Sequence, residues 1–333
     1  MILTGYGSTG TVHIRDMPEP TLGEDELLVD VHAAGINPLD VKIRDGKLRL
    51  VRRFPLPAIM GNELSGVVAA VGRAVRGFEV GDAIFARVDK RHLGAFAERA
   101  CVHQSHAAHK PSRLSMVEAA GVPLAALTAW QALDLLGVGA GSRVLVHAGA
   151  GGVGSFAVQF AKLRGAWVAS TASGRNVALV RDLGADQVID YTAQRFEDAL
   201  EPVDRVFDTV GGEVLDRSLR ATRRDGLVVS IAGAPEPQAA MMEGMGRFAE
   251  ALFWLASLGV RRRARRVGVG YRYLFMRPDG QQLAEIGRLI DEDKLRVLMD
   301  SVVPFDRALD ALAHAETGRA RGKIVLALRA HEA

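Results

Sequence analysis

The sequence predicts an α/β protein of two domains, one β-rich and the other a doubly wound parallel sheet. Three observations carry this prediction. The first third holds closely spaced strand patterns with no helices between them. From about Val122 the pattern changes to alternating strands and helices. Between Arg143 and Leu163 a short apolar run, Val144 to Val146, meets the spacing Gly149-x-Gly151-x-x-Gly154, after which Val153, Phe156, Ala157 and Phe160 recur at helical intervals.

In order along the chain, Leu27 to Ala33 alternates Val29, Val31 and Ala33 with Asp30 and His32, the period of a half-buried strand. Gly66 to Val71 and Ala83 to Val88 read as further strands, with breaks at Gly72, Gly77 and Gly81-Asp82. The segment 143–163 is strand, glycine turn and helix. There the first glycine permits the bend, the second lets backbone N–H groups approach a pyrophosphate, and the third allows helix and strand to pack closely. Strands follow at Trp167 to Thr171, Gln187 to Tyr191, Arg205 to Val210 and Leu227 to Ala232, with helices at Val177 to Leu183 and Gly212 to Thr222. A Met-rich apolar helix is expected at Ala239 to Leu258, a last strand at Val267 to Tyr273, a helix at Gly280 to Asp293 and a closing strand at Lys323 to Leu328.

Composition narrows the class. With 48% apolar and 24% charged residues, the 333-residue chain has the makings of an ordinary folded core. A net charge of +3 gives no global nucleic-acid signature. The local exception, Arg261 to Arg266, reads as a solvated helix-to-strand turn, with salt-dependent binding of nucleic acid or an anionic membrane as the less common alternative. One cysteine, Cys101, rules out an internal disulfide and a multi-cysteine zinc site. The N-terminal MILTGYGSTG lacks the pattern of a signal peptide, so the expectation is a cytoplasmic protein with no membrane partner.

Six segments then resemble the zinc-independent quinone oxidoreductase branch of the medium-chain dehydrogenase/reductase superfamily. They are Gly35-Ile36-Asn37-Pro38-Leu39-Asp40, Gly61-Asn62-Glu63-Leu64-Ser65-Gly66, Leu127-Thr128-Ala129-Trp130, Gly184-Ala185-Asp186, Asp208-Thr209-Val210-Gly211-Gly212 and Ala320-Arg321-Gly322-Lys323. The tail is similar to NADPH oxidoreductases of the reticulon-4-interacting type. The resemblance implies a GroES-like catalytic domain from 1–122 with 275–333 and a Rossmann domain at 123–274, the tail folding back onto the first domain. It implies catalytic roles for Asn37, Asp40 and Thr128. It further implies NADP contacts from Gly149, Gly151, Gly152, Val153, Gly154, Ser173, Arg175, Asn176, Tyr191, Val210, Ala232 and Lys323.

The departures decide the chemistry. Where zinc alcohol dehydrogenases of this superfamily carry a cysteine and a histidine ligand, this chain has Asn37 and Asn62, poor zinc ligands without thiolate charge or imidazole basicity. His103, His106 and His109, spaced at three, read as solvated loop histidines. NAD-specific sites place an acid about twenty residues past the glycines to bind the ribose 2′-OH. Val168 to Ala178 contains none, and offers Ser173, Arg175 and Asn176, which suit a 2′-phosphate. The expected cofactor is NADPH.

Without a metal, a fitting acceptor spreads the arriving charge itself, as a quinone or an α,β-unsaturated carbonyl does, and Asn37 is expected to donate to its oxygen. An enoyl-thioester reductase is the weaker reading, because no tyrosine stands between Asp40 and Gly61. An NADPH-binding redox sensor or structural protein with little turnover is the reading of another class. Pairing of the Val267 to Tyr273 edge strands, which would cover the Met-rich helix, predicts a homodimer.

Overall fold

The structure, a computed structural model, describes residues 1–7, 11–49, 53–89 and 93–329. Residues 330–333, the end of the expected C-terminal segment, lie outside the described residues. The chain divides into two units, Met1–Leu127 with Arg277–Ala333, and Thr128–Met276.

The first unit opens with β1 (Ile2–Leu3), β2 (Val12–His13) and the long β3 (Glu26–Ile36), then α1 (Pro38–Arg44) and β4 (Ala58–Ile59). It continues through β5 (Glu63–Val71), β6 (Ala83–Arg87), β7 (Arg99–His103), β8 (Ala107–His109) and α2 (Met116–Ala120). The alternation in β3 is as expected up to Val31, with Leu27, Val29 and Val31 buried. From Ala33 to Ile36 every residue is buried, because both faces are covered there. One face joins the main core, and on the other Ala33 packs with Val117 and Ala120 of α2. The short strands β1, β2 and β4 form a separate three-stranded sheet that sequence periodicity does not reveal. Two residues give period 2 nothing to repeat.

α3 (Pro123–Leu136) runs from the first unit into the second. The second unit then alternates strictly: β9 (Arg143–Val146), α4 (Gly152–Leu163), β10 (Trp167–Ala172), α5 (Val177–Asp182), β11 (Gln187–Asp190), α6 (Phe196–Ala199), β12 (Val203–Asp208), α7 (Gly212–Ala221) and β13 (Thr222–Ser230). After α8 (Pro237–Met242), α9 (Gly246–Ala256) and α10 (Leu258–Arg266) comes β14 (Gly270–Tyr273). The six strands are parallel in the order β11-β10-β9-β12-β13-β14. β9, fully apolar at Val144 to Val146, lies in the middle with its three valine and leucine side chains buried.

Two expectations in this unit are corrected. The Met-rich segment is two helices, because Gly244 and Gly246 take left-handed φ values of 64° and 79°. Arg261 to Arg266 is no turn; it is helical because Val260 and Ala264, four residues apart, anchor α10 in the core and leave the arginines outside. The last strand is correspondingly short and begins at Gly270.

The chain then returns to the first unit with α11 (Gly280–Asp291), β15 (Met299–Pro304), α12 (Ala308–Glu316) and β16 (Lys323–Ala327). β16 pairs antiparallel with β3, Ile324 opposite Ile36 and Ala327 opposite Ala33, so the tail completes a sheet ordered β15-β16-β3-β5-β6-β8. β7 pairs with the first half of β3.

At the end of β9 a directed chain of hydrogen bonds fixes the backbone before the glycines. Ala148 N–H reaches Thr171 Oγ1 at 3.1 Å, and His147 Nδ1 lies 3.1 Å from the same hydroxyl. His147 Nε2 lies 2.8 Å from Ser218 Oγ, whose own proton goes to Val214 O. Ser218 therefore accepts from Nε2–H, and Thr171 donates to Nδ1, which requires the neutral imidazole. Burial pushes the His147 pKa down to about 4. In the unfolded chain it titrates near 6.5, so between those values the unfolded state binds the extra proton. Stability contributed by neutral His147 is complete above pH 6.5 and lost as pH falls toward 4, by up to roughly 3 kcal/mol. Urea unfolding at pH 7 and pH 5 should show this loss in the parent protein and a flatter response in His147→Gln. Equal acid responses would disprove the linkage.

Candidate functional site

The turn after β3 builds a buried polar cluster. Asn37 is the N-cap of α1 and Pro38 its first residue, where proline's missing N–H costs nothing. Asp40 Oδ2 accepts from the Asn37 backbone N–H at 2.8 Å, and its Oδ1 accepts from Asn62 Nδ2 at 2.6 Å. The Asn37 side chain faces the other way, its Nδ2 donating to Glu63 Oε1 at 2.7 Å. Lys323 Nζ, at the start of β16, donates to Asn37 Oδ1 at 2.5 Å, to Glu63 Oε1 at 2.6 Å and to Ile36 O at 3.3 Å. Glu63 Oε2 accepts from Leu124 N–H at 2.7 Å. Gly35 makes room for this: a Cβ there would fall on Glu63 Oε1 and the Ala120 carbonyl. Burial pushes the Asp40 pKa up to about 6, against the hydrogen bonds from Asn62 and Asn37 and the charge of Lys323.

Two expected roles change in this geometry. Asn37 has its amide protons directed at Glu63 and, at 3.4 Å, at Gly35 O, so donation to an acceptor oxygen is closed to it in this arrangement. Lys323, expected among the cofactor contacts, is 3% exposed and directs its three protons into the cluster. Thr128 is buried on α3. Glu63 is the residue that motif reading passed over, although it stands in a motif quoted for the resemblance, while Asn62 reads from the sequence only as a lost zinc ligand and not as the donor to Asp40. The available signal was a charged glutamate standing directly before the apolar start of a strand, where Glu63 to Gly66 are all buried.

In the second unit Gly151 caps α4, and Gly152, Val153 and Gly154 form its first turn, where backbone N–H groups have no partner within the helix. The sharp bend belongs to Ala148, at φ 54°, and not to the first glycine. Gly149 serves packing instead, since a Cβ would meet Ser170 Oγ and Val180, while one at Gly154 would fall on the Ala148 carbonyl. At Gly151 a Cβ would meet only the Ala148 carbonyl, at 3.3 Å. This open cradle at a helix N-terminus fits a dinucleotide pyrophosphate.

Beyond β10, Ser173, Arg175 and Asn176 lie in one turn. Asn176 Nδ2 donates to Ser173 Oγ at 3.1 Å, and its buried Oδ1 has no partner. Turned over, the same amide would bond Ser173 through its carbonyl and free its N–H2, so either a hydroxyl or a phosphate oxygen can satisfy it. Arg175 is exposed and unpaired among the described residues. Tyr191, 59% exposed, donates its N–H to Ala172 O, which places it beside this turn. Val210 and Ala232 are held together by Asp208. Its Oδ1 accepts from Val210 and Gly211 N–H, and its Oδ2 accepts from Ser230 Oγ, which in turn accepts from Ala232 and Gly233 N–H.

The three histidines are not in a loop. His103 ends β7, His106 ends a short 3-10 turn, and His109 lies on β8 stacked on Phe78 at 4.9 Å. Among the described residues no group of three or more His, Cys, Asp or Glu is placed to hold a metal ion. At the two positions where the superfamily's zinc enzymes have ligands stand the amides of Asn37 and Asn62, engaged with Glu63, Lys323 and Asp40. That donor set does not fit zinc.

Residues 23–112 match the alcohol dehydrogenase GroES-like domain, and residues 183–326 match the zinc-binding dehydrogenase family. The chain is 33% identical to a 2-methylene-furan-3-one reductase of Solanum lycopersicum over 97% of this chain and 77% of the relative. It is also 33% identical to an NADPH-dependent alkenal/one oxidoreductase, chloroplastic, of Arabidopsis thaliana, over 98% and 78%. The solved quinone oxidoreductase of Coxiella burnetii superposes with a TM-score of 0.86 at 33% identity, covering 98% of each chain.

The cluster also sets a stability test. Lys323→Met leaves the Glu63 carboxylate buried without its cation and should cost about 3–5 kcal/mol. The double variant Lys323→Met/Glu63→Gln removes both charges and should recover most of that loss. Urea unfolding of the three proteins measures it, and a single variant within 1 kcal/mol of the parent would contradict the pairing.

Proposed function

Because this chain belongs to the quinone oxidoreductase branch of the medium-chain dehydrogenase/reductase superfamily, we propose that it is an NADPH-dependent oxidoreductase acting on a quinone or an α,β-unsaturated carbonyl. One observation carries the acceptor class. The positions that would bind zinc are amides locked to Glu63, Lys323 and Asp40, so an acceptor that delocalises charge onto its own oxygen fits this chain best.

When bound, NADPH supplies the hydride. The first-turn N–H groups at Gly152, Val153 and Gly154 would hold its pyrophosphate, with Gly149 and Gly151 shaping the cradle. Ser173, Arg175 and Asn176 would bind the 2′-phosphate, Tyr191 would lie along the adenosine, and the backbone at Val210 and Ala232 would complete the site. Thr128 is the hydroxyl we assign to the acceptor side. Asn37 and Asp40 act as positioning residues that hold the turn between β3 and α1. Metal independence, a cytoplasmic setting and a homodimer paired through the free edge of β14 belong to the same proposal. In that dimer α10, and not the Met-rich segment, is the helix packed beside the paired edge.

The direct experiment is NADPH oxidation by chelator-treated protein against panels of quinones and enones. Turnover of at least one panel is expected, and restoration by zinc alone would overturn the metal-free reading. Arg175→Ala should weaken NADPH binding by about one to two decades and leave NADH nearly unchanged, since a charge-assisted hydrogen bond is worth roughly 1.5–3 kcal/mol. Equal losses for both cofactors would remove the assignment. For Asp40, kcat/KM should rise with pH through about 6 and then level, as the carboxylate forms that accepts from Asn62. Asp40→Asn should abolish that bend, and a retained bend would assign it elsewhere. Light scattering should give about twice the chain mass, against which a monomer at micromolar concentration would count.

A further inference from the structure

The segment 237–266 carries a surface that the proposed reaction does not use. Five large apolar side chains stand in solvent there: Met241, Met242, Phe248, Trp254 and Leu255, with Phe248 84% and Leu255 62% exposed. Their placement follows from α9 itself. Phe253 is its buried anchor, stacked on Phe275 at 6.0 Å, so the opposite side of the helix presents Phe248, Ala251 and Leu255 at i, i+3 and i+7. A contiguous apolar stripe of this kind on a folded surface marks an interaction site.

The segment that carries the stripe has an excess of positive charge. Between 237 and 266 the chain has six arginines, Arg247, Arg261, Arg262, Arg263, Arg265 and Arg266, against Glu243 and Glu250. Among the described residues Arg263 alone of the six forms an ion pair, to Asp216 at 2.8 Å. The Nη1 of Arg261 is buried without a partner. Arginines at 261 and 265, and at 262 and 266, are also four apart on one helix, where like charges repel. The helix carries that repulsion without an acid of its own.

We propose that α8, α9 and α10 form an interfacial anchor that docks on an anionic lipid bilayer and brings the enzyme to a membrane-dissolved quinone. Phe248, Trp254 and Leu255 would enter the headgroup and acyl boundary while the arginines of α10 meet lipid phosphates. Each part of the surface argues for this occupant over others. A second copy docked stripe to stripe would cover the apolar residues and offer the six arginines of each segment only the two glutamates of its twin. A nucleic acid would satisfy the arginines and leave the apolar stripe in water. Among the described residues no helix is long and apolar enough to cross a membrane, so docking is peripheral. The exposed stripe, visible only in the folded chain, favours the less common sequence reading of Arg261 to Arg266 over the expected absence of a membrane partner. The quinone clause rests on the function proposed above, and the docking clause does not.

The test is co-sedimentation of the full chain with phosphatidylglycerol-containing vesicles and with pure phosphatidylcholine vesicles, at low and high salt. Binding to the anionic vesicles is expected, falling at least tenfold at high salt. Phe248→Ser/Leu255→Ser and Arg262→Gln/Arg266→Gln should each reduce it about tenfold or more. NADPH-dependent turnover of a short-chain, water-soluble quinone should stay unchanged in both variants. Absent vesicle binding at low salt, or variants that bind as the parent does, would overturn the anchor. So would a Phe248→Ser/Leu255→Ser change that converts dimer to monomer without altering sedimentation, which would make a second copy the occupant. If the parent sediments with vesicles yet reduces no soluble quinone, the anchor stands and the acceptor reading fails.

Discussion

The ion pair between Glu63 and Lys323, 2.6 Å apart and shielded from water, is the constraint on which the first unit depends. The two residues are 260 positions apart in sequence. Two charges taken out of water lose several kcal/mol of hydration each, and their attraction offsets this only when the remaining donors and acceptors are also satisfied. Here each is. Glu63 accepts from Asn37, Lys323 and Leu124, while Lys323 donates to Glu63, Asn37 and Ile36. Those partners fix the start of β5, the start of β16, the end of β3 and the entry to α3 in one arrangement. The pairing of β16 with β3 brings the two charges together, and the charges in turn specify its register. Gly35 completes the logic, because any side chain there would displace the carboxylate.

At the end of β9 the second unit solves the equivalent problem with neutral groups. There His147, Thr171 and Ser218 supply an imidazole and two hydroxyls, each with a defined donor direction, while the carboxylate of Asp204 is kept to the start of β9, where it accepts from Arg143 N–H. That choice follows from the ligand expected there. A buried acid beside the glycine turn would repel the phosphates, whereas Thr171 and His147 hold Ala148 in its left-handed conformation without adding charge. The buried carboxylate of Asp208 is wrapped by Val210, Gly211 and Ser230, and organises two loops through them.

Legibility in the sequence follows the length over which a pattern repeats. The strand, glycine turn and helix at 143–163 were readable because an apolar run, a glycine spacing and a helical period coincide in one segment. β3 was readable only in its first half, since period 2 vanishes where both faces are buried. The two-residue strands β1, β2 and β4 carry no period at all. The helix break at Gly244 and Gly246 was written in the chain, but a glycine reads equally as a tolerated helix residue until its φ is seen. At the candidate site the motifs located Asn37, Asp40 and Lys323 without their relations. Which proton of an amide faces which acceptor depends on residues hundreds of positions away, and no local pattern encodes that.

The replacement of cysteine and histidine by Asn37 and Asn62 is therefore more than the loss of two metal ligands. A neutral amide has both donors and an acceptor, so it can bridge an acid and a base as neither thiolate nor metal-bound imidazole can. Asn37 does this between Glu63 and Lys323, and the amide N–H2 of Asn62 meets Asp40 while its Oδ1 remains buried without a partner. With one lysine against two buried carboxyl groups, and Asp40 titrating near 6, the cluster moves between a neutral and a singly negative state close to physiological pH. A divalent cation would polarise an acceptor strongly at every pH. This cluster offers no comparable positive field, and that is the physical reason the chain suits acceptors whose own conjugation carries the incoming charge.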